Sequence, residues 1–388
     1  MAGRNKILIF LNTYLPGYKS GGPVQAISNL VEALHDYFDF YIVTKDRDFQ
    51  DINKYSNIKY KVWNKVGYAK VRYLQPRERN IFVYKNIINS FDFDLVYLQS
   101  FWNIRFSLFP LIALSCSKKK NMPVLLHPRG EFFENALKRK KIKKDIYIFF
   151  YKLFLSYNRV IFQVSTNIEK KSLLNSFEGK LLKVFIASDI PASFRNFEPI
   201  LPNGNSLKLV FISRINSHKN LSLLLLQVCK LSINIDLDIF GVIDDISEWE
   251  KCKHIINNCP KNIKINYYGP VCHDKILINL KNYDMFCLLS KSENFGYSIC
   301  EALSSGVPVI ISDKTIWHDL VKYNAGWEIP LGQPDVFIDK VMEYYRKNRD
   351  ERLNMRKGAI QYAADVSNKS KILTDNLTMF NTIILRGK

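Results

Sequence analysis

The sequence predicts an α/β protein made of two doubly wound parallel-sheet domains that face each other across a cleft. Three observations carry this expectation. Short apolar runs recur along the whole chain with helical segments between them, as strands buried on both faces and joined by crossover helices require. The pattern occurs twice, on either side of a stretch rich in turn residues. The length, 388 residues, exceeds what one compact domain usually holds.

In the first half, Lys6–Leu11 reads as a first strand, Val24–His35 as a helix and Phe38–Thr44 as a strand. Leu95–Gln99, Pro123–His127 and Arg159–Ser165 follow as further strands. In the second half the runs are Leu207–Ser213, Ile235–Gly241, Ile263–Gly269, Asp284–Ser290 and Val307–Ser312, with helices such as Asn220–Leu231 and Tyr297–Ser304 between them. The seam falls at Ser188–Gly204, where Pro191, Pro199, Pro202 and Gly204 interrupt any periodicity. This divides the chain into residues 1–190 and 191–365, with a tail, 366–388, read as a helix that packs back on the first domain. Ligands of such sheets bind beyond the carboxyl ends of the strands.

Composition narrows the class. Hydrophobic residues at 47% and charged residues at 24% describe a globular chain. The first residues lack a signal peptide's apolar core, because Ile7–Leu11 is too short and leads into a Gly-rich loop. Seven cysteines, several inside apolar runs, read as reduced buried thiols of a cytosolic protein, and their spacing offers no zinc site. No Gly-Lys-Ser/Thr phosphate loop, Gly-x-Gly-x-x-Gly or Gly-x-Ser-x-Gly is present, so ATPase, dehydrogenase and serine hydrolase chemistry lose their usual sequence support. The net charge of +20 calls for an anionic partner. Residues 138–144 (Lys-Arg-Lys-Lys-Ile-Lys-Lys) precede an aromatic run, Ile146–Leu155, that is too short and too charged to cross a bilayer. That segment reads either as a helix lying among lipid headgroups or as a core helix with a solvated basic end. No nucleic-acid module accompanies the charge.

Two segments carry chemistry. Ser290-Lys-Ser-Glu-Asn-Phe-Gly-Tyr-Ser-Ile-Cys-Glu301 begins where a strand ends, and Gly296 opens a helix whose first backbone N–H groups suit a diphosphate. Glu301, inside that helix, suits ribose hydroxyls, and Glu293 lies in the loop before it. Asn294, Phe295 and Tyr297 complete the loop. After the first strand of the second half, Arg214 and Lys219 stand just before a helix, where two cations neutralise a diphosphate leaving group.

Arg214-x4-Lys219 followed by Glu293-x7-Glu301, with the Phe-Gly, Glu-Ala and Gly-x-Pro elements around them, resembles the donor half of family 4 glycosyltransferases. The resemblance implies the GT-B fold of two Rossmann-like domains, an N-terminal acceptor-side domain and a C-terminal donor domain. It also implies transfer with retention from a UDP- or GDP-sugar, without metal or other cofactor. Ser213 and Asn220 depart from it, standing where glycines are common. In the first half, Gly21-Gly22-Pro23 matches a Gly pair near the donor phosphates. Pro128-Arg129-Gly130-Glu131 resembles the subgroup that builds bacterial surface polysaccharides, such as O antigen, capsule or lipopolysaccharide. Arg129 and His127 are thereby implied to face the reacting sugar, whereas Tyr97 and Gln99 stand where relatives often carry His. Asp92-x-Asp94 and Asp236-x-Asp238 spell a metal motif of another transferase fold, but the first precedes a strand and the second alternates inside one, its carboxylates sharing one face. The implied acceptor is a lipid-linked glycan, met by a peripheral enzyme on the anionic inner face of the cell membrane. A sugar-nucleotide epimerase of the same fold and a non-catalytic sugar-nucleotide-binding subunit are the rival expectations.

Overall fold

The computed structural model describes residues 3–133, 137, 147, 148, 151, 160–177, 182–192, 198–272, 275, 279–366 and 369–387. The chain divides into two compact units, Met1–Ile190 with Lys369–Lys388, and Pro191–Asn368.

The N-terminal unit is built on an eight-stranded sheet in the order β3-β4-β2-β1-β5-β6-β7-β8. Its strands are β1 (Asn5–Phe10), β2 (Phe38–Lys45), β3 (Asn64–Val66), β4 (Ala69–Leu74), β5 (Leu95–Leu98), β6 (Val124–Leu126), β7 (Val160–Val164) and β8 (Lys183–Ile186). All neighbours are parallel except the β3–β4 hairpin. The central strands are continuous apolar runs because both faces are covered. Alternate residues serve opposite cores: Ile7 and Ile9 of β1 join Leu95 and Tyr97 of β5, while Leu8 and Phe10 join Val96 and Leu98. The first face is covered by α1 (Gly22–Leu34), the second by α2 (Ile81–Asn89) and α3 (Phe109–Ser115). Helix α4 (Asn167–Ser176) follows β7 and contributes Leu173 to the second core.

The C-terminal unit carries a six-stranded, wholly parallel sheet in the order β11-β10-β9-β12-β13-β14. Its strands are β9 (Leu207–Ile212), β10 (Ile235–Phe240), β11 (Ile263–Gly269), β12 (Met285–Leu288), β13 (Val309–Ser312) and β14 (Gly326–Ile329). This is the doubly wound order of a dinucleotide-type sheet, and its direction reverses between β9 and β12. Helices α5 (Leu221–Val228), α6 (Ile246–Asn257), α7 (Tyr297–Ser304), α8 (Val336–Arg346) and α9 (Arg349–Val366) connect and cover it.

The chain then returns to the first unit as α10 (Lys369–Gly387). Met379, Phe380, Ile383 and Ile384, one apolar stripe at helical spacing, are buried in the same core as Ile7 and Tyr97. Phe380 packs edge-on against Tyr97 with ring centroids 5.6 Å apart, and against Phe38 at 5.5 Å. Tyr97 is therefore a core residue whose hydroxyl donates to Gln163 Oε1 at 2.6 Å.

One sequence reading changes here and one narrows. Cys229 and Cys259 are not reduced thiols: they form a disulfide between the ends of α5 and α6, which pack side by side and bring the two Cα atoms to 5.7 Å. Thirty residues separate them, so no close Cys pair marked the bridge. The basic segment 138–144 lies outside the described residues. Of the aromatic run after it, Ile148 and Tyr151 are buried in the second core of the N-terminal unit, so these two side chains face protein. Among the described residues no helix is long and apolar enough to cross a membrane.

Because Phe380 fills a core position from the far end of the chain, Phe380→Ala should destabilise the N-terminal unit by about 3–5 kcal/mol. Native-state hydrogen exchange of β1 and β5 peptides measures this; a loss below about 1 kcal/mol would show that α10 only lies on the surface.

Candidate active site

The switch point of the C-terminal sheet is where the loops after β9 and β12 leave adjacent strands. Asn216 shapes the first loop. Its side-chain oxygen accepts the backbone N–H of His218 and of Lys219, both at 3.1 Å, and its amide donates to Asp244 Oδ2 at 3.0 Å. Asn220 precedes α5 in a left-handed conformation (φ 59°, ψ 38°) and donates from its side chain to Leu289 O at 3.1 Å. That is the position where the resemblance expects glycine, and Asn tolerates left-handed backbone better than other side chains. The other departure, Ser213, lies under Gly241. A Cβ at Gly241 (φ 150°) would sit 1.8 Å from Ser213 O, so the close approach is provided by a glycine on the neighbouring strand.

The second loop is sewn to the first. Lys291 N–H donates to His218 O at 2.9 Å, and His218 Nε2 bonds Ser292 O at 2.8 Å. Lys219 Nζ meets Glu293 Oε1 at 2.6 Å, with side chains only 17% and 7% exposed. Arg214 is less committed: its guanidinium is 41% exposed and lies 3.5 Å from Asp244 Oδ2. Beyond Glu293, Phe295 is buried against Trp317 and Tyr297, and Trp317 Nε1 donates to Phe295 O at 2.6 Å. Gly296 (φ 78°) then caps α7, and its carbonyl accepts Ile299 and Cys300 N–H. A Cβ at Gly296 would come within 3.0 Å of Ile299 and 3.2 Å of Trp317. As at any helix start, the first N–H groups of α7 lie outside the intrahelical ladder and form the positive end of its dipole. Asn294 and Tyr297 flank Gly296 half-buried, and Glu301 is half-buried within α7. The C-terminal candidates thus converge on one sheet edge. Asp238 of the Asp-x-Asp pair, by contrast, is occupied by Asn266 and Tyr283, and Asp236 by Ser206.

In the N-terminal unit, Gly21 (φ 65°) caps α1, with Gly22 as its first residue, at the carboxyl edge of β1. His127 and Arg129 follow β6. Arg129 has a left-handed backbone (φ 53°), and its guanidinium reaches both oxygens of Asp189 at 2.8 and 2.7 Å and Gln99 Oε1 at 2.6 and 3.0 Å. His127 is fully buried, with Nε2 3.2 Å from Ser165 Oγ and Nδ1 3.9 Å from Asp189. Burial, reinforced by Arg129, holds its imidazole well below the ordinary histidine range. Glu169 accepts the backbone N–H groups of Gly130 and Ser165, and burial pushes its carboxyl up to about 7. Asp189, Glu169, Asp244, Asn216 and His218 had no motif to mark them; they emerge only as the partners of residues that did.

Comparison with known proteins agrees with this geometry. Residues 193–363 match the family model "Glycosyl transferases group 1". The fold is that of GT-B glycosyltransferases, and the match to the group 1 family falls on the C-terminal unit. Among sequence relatives, the Escherichia coli O-antigen biosynthesis glycosyltransferase WbnH is 23% identical over 354 residues, covering 89% of this chain and 84% of WbnH. The GtfA subunit of the Streptococcus agalactiae UDP-N-acetylglucosamine–peptide N-acetylglucosaminyltransferase is 27% identical over 192 residues. That match takes in 45% of this chain but only 35% of GtfA. Among solved structures, Anabaena HepE in complex with UDP and glucose superposes with a TM-score of 0.71 over 98% of this chain and 100% of its own, at 12% identity.

His218 ties the two loops together in its neutral form. Burial, with Lys219 beside it, holds its imidazole below the ordinary value of 6.5. The unfolded chain therefore takes up this proton at a higher pH than the folded one. The stability this group contributes is complete above that value and is lost as pH falls through it toward the folded-state value. Melting of the C-terminal unit followed from pH 7 to pH 5 should show this decline, and His218→Gln should flatten it; an unchanged slope would remove His218 as the source.

Proposed function

We propose that this chain is a retaining glycosyltransferase that moves a sugar from a nucleotide-sugar donor onto a lipid-linked glycan in bacterial surface-polysaccharide synthesis. The observation that carries the reading is the Lys219–Glu293 pair at the β9/β12 switch point, with Arg214 and the start of α7 on the same edge. The name of WbnH supports the polysaccharide setting, and the UDP and glucose bound by HepE support a nucleotide-sugar donor.

In this reading the donor diphosphate rests on Arg214, Lys219 and the first turn of α7, while Glu301 takes the ribose hydroxyls. Asn294, Phe295, Gly296 and Tyr297 form the wall, and Gly21 and Gly22 offer a second backbone surface. Breaking the sugar–phosphate bond leaves a diphosphate whose added charge the two cations stabilise, so no metal is required. The acceptor hydroxyl enters on the face the diphosphate leaves, and a phosphate oxygen takes its proton. Glu293 holds Lys219 in place and borders the sugar. Arg129, held by Asp189, is the N-terminal residue proposed to meet the sugar; His127, fully buried against Ser165, cannot touch it and is left as a packing residue. The basic segment 138–144 is proposed to hold the enzyme at an anionic inner-membrane surface.

Thermal unfolding with UDP, GDP, ADP and CMP, each with and without EDTA, tests the donor site. One nucleotide at a hundred times its dissociation constant should stabilise the C-terminal unit by about 2.7 kcal/mol, regardless of EDTA. No shift with any of the four overturns the reading. Once the donor is identified, Arg214→Ala or Lys219→Ala should lower turnover by at least about a hundredfold, the scale of one lost charge-stabilising donor. Near-normal turnover in either would remove that residue from the mechanism.

A further inference from the structure

We propose that the carboxyl edge of β2 and β4 in the N-terminal unit is a second anion site, formed by Lys45, Arg79 and Arg105, and that it receives the phosphate or diphosphate group of the acceptor. Calling its occupant the acceptor rests on the transferase reading above; the site itself rests on the following geometry.

Lys45 is the last residue of β2 and pairs in register with Leu74, the last residue of β4. Arg79 lies across both strand ends: its Nε donates to Leu74 O at 3.1 Å and its Nη2 to Asp46 Oδ1 at 2.8 Å. Arg105 is exposed on the turn Ile104–Leu108, close enough to act electrostatically on both Arg79 and Tyr84. The Tyr84 hydroxyl, on which both arginines act, is buried and has no partner among the described residues. Helix α2 starts at Ile81, so the positive end of its dipole lies on the same edge.

Three carboxylates stand nearby, and each is already engaged. Asp46 receives Arg79 and Arg47. Asp48 accepts the backbone N–H groups of Tyr18, Lys19 and Phe49. Asp51 receives Lys19 Nζ. Among the described residues, neither Lys45 nor Arg105 has a carboxylate partner. Lys45 has the ring of Phe49 at 5.9 Å; the cations Arg79 and Arg47 repel it and the carboxylates Asp48 and Asp51 attract it without a direct ion pair. Burial, with Arg79 next in weight, holds its ammonium below the ordinary lysine range. Cations left in mutual repulsion at a strand edge are relieved by an anion. An arginine fork beside a lysine point charge is the pairing that phosphate oxygens use. None of these residues belongs to the donor loops.

The test titrates inorganic pyrophosphate by calorimetry into the full chain saturated with UDP, so that the donor loops are filled. Binding should weaken at least about tenfold, the scale of one lost charge-assisted contact, in Lys45→Gln/Arg105→Gln and in Arg105→Glu alone. The single substitution is at an exposed position and guards against misfolding at Lys45. Binding should be unchanged in Lys230→Gln/Lys253→Gln, which alters two exposed cations of the other unit. Equal binding in all variants, or equal losses in all, overturns the site. Co-sedimentation with phosphatidylglycerol vesicles, with and without a polyprenyl diphosphate, separates acceptor from bulk lipid. The double substitution should abolish only the binding that the diphosphate adds; equal loss on both vesicles assigns the cluster to anionic lipid in general and overturns the acceptor proposal. If the wild-type chain shows no shift with any of the four nucleotides, the donor reading fails by itself, and the pyrophosphate titration repeated without nucleotide still decides the site.

Discussion

The contact on which the candidate active site depends is the ion pair between Lys219 and Glu293. Each partner comes from a different loop, and both side chains are nearly buried, so neither charge is tolerable alone: breaking such a pair leaves an uncompensated charge at a cost of about 3–5 kcal/mol. The pair therefore fixes the path of the β12 loop relative to β9. The His218 contacts to Lys291 and Ser292 follow the same line, and Gly296 and the start of α7 are placed by what precedes them. A consequence is that the two cations of the site differ in kind. Lys219 is preorganised but shares its charge with Glu293. Arg214, two-fifths exposed and only loosely paired with Asp244, retains most of its capacity for an incoming anion. A change at Lys219 thus acts on loop structure and on charge together, and a change at Arg214 acts mainly on charge.

The N-terminal unit solves a similar problem with Arg129 and Asp189. Their bidentate contact is buried at the end of the sheet, next to the chain's exit from the unit. Ser188 and Ile190, on either side of Asp189, are held as well, by Asn376 of α10 and Asn29 of α1. One charge pair is accommodated there, and the remaining ionisable groups move toward neutrality: His127 is depressed and Glu169 raised. The left-handed backbone at Arg129 is tolerated because the guanidinium is held at four contacts.

What the sequence made legible follows from range. Strands buried on both faces announced themselves as apolar runs, so β1, β2, β9 and β10 fell within a residue or two of expectation. The β3–β4 hairpin, β8 and β14 were not anticipated, because β3, β8 and β14 have at most four residues and β4 alternates apolar with charged side chains. Arg214, Lys219, Glu293 and Gly296 were legible because loop chemistry is local to a strand end. Their organisers were not: Asp189 lies 60 residues from Arg129, and Glu169 39 residues from Gly130. The disulfide escaped notice for the same reason.

The charge of +20 takes on a clearer meaning once individual cations are followed. Lys219, Arg129 and Arg79 are each bound to a buried or nearly buried carboxylate, and their work is architectural at least in part. Exposed lysines such as Lys230 and Lys253 sit in solvent-screened surface pairs and contribute mainly to steering and solubility. The cations proposed to meet an anionic ligand are three that lie near the carboxyl ends of strands and lack a close, direct carboxylate contact. They are Arg214 on one sheet, and Lys45 and Arg105 on the other. Net charge alone did not distinguish them from the rest. Position near a carboxyl edge, and nearby carboxylates already hydrogen-bonded to other groups, do.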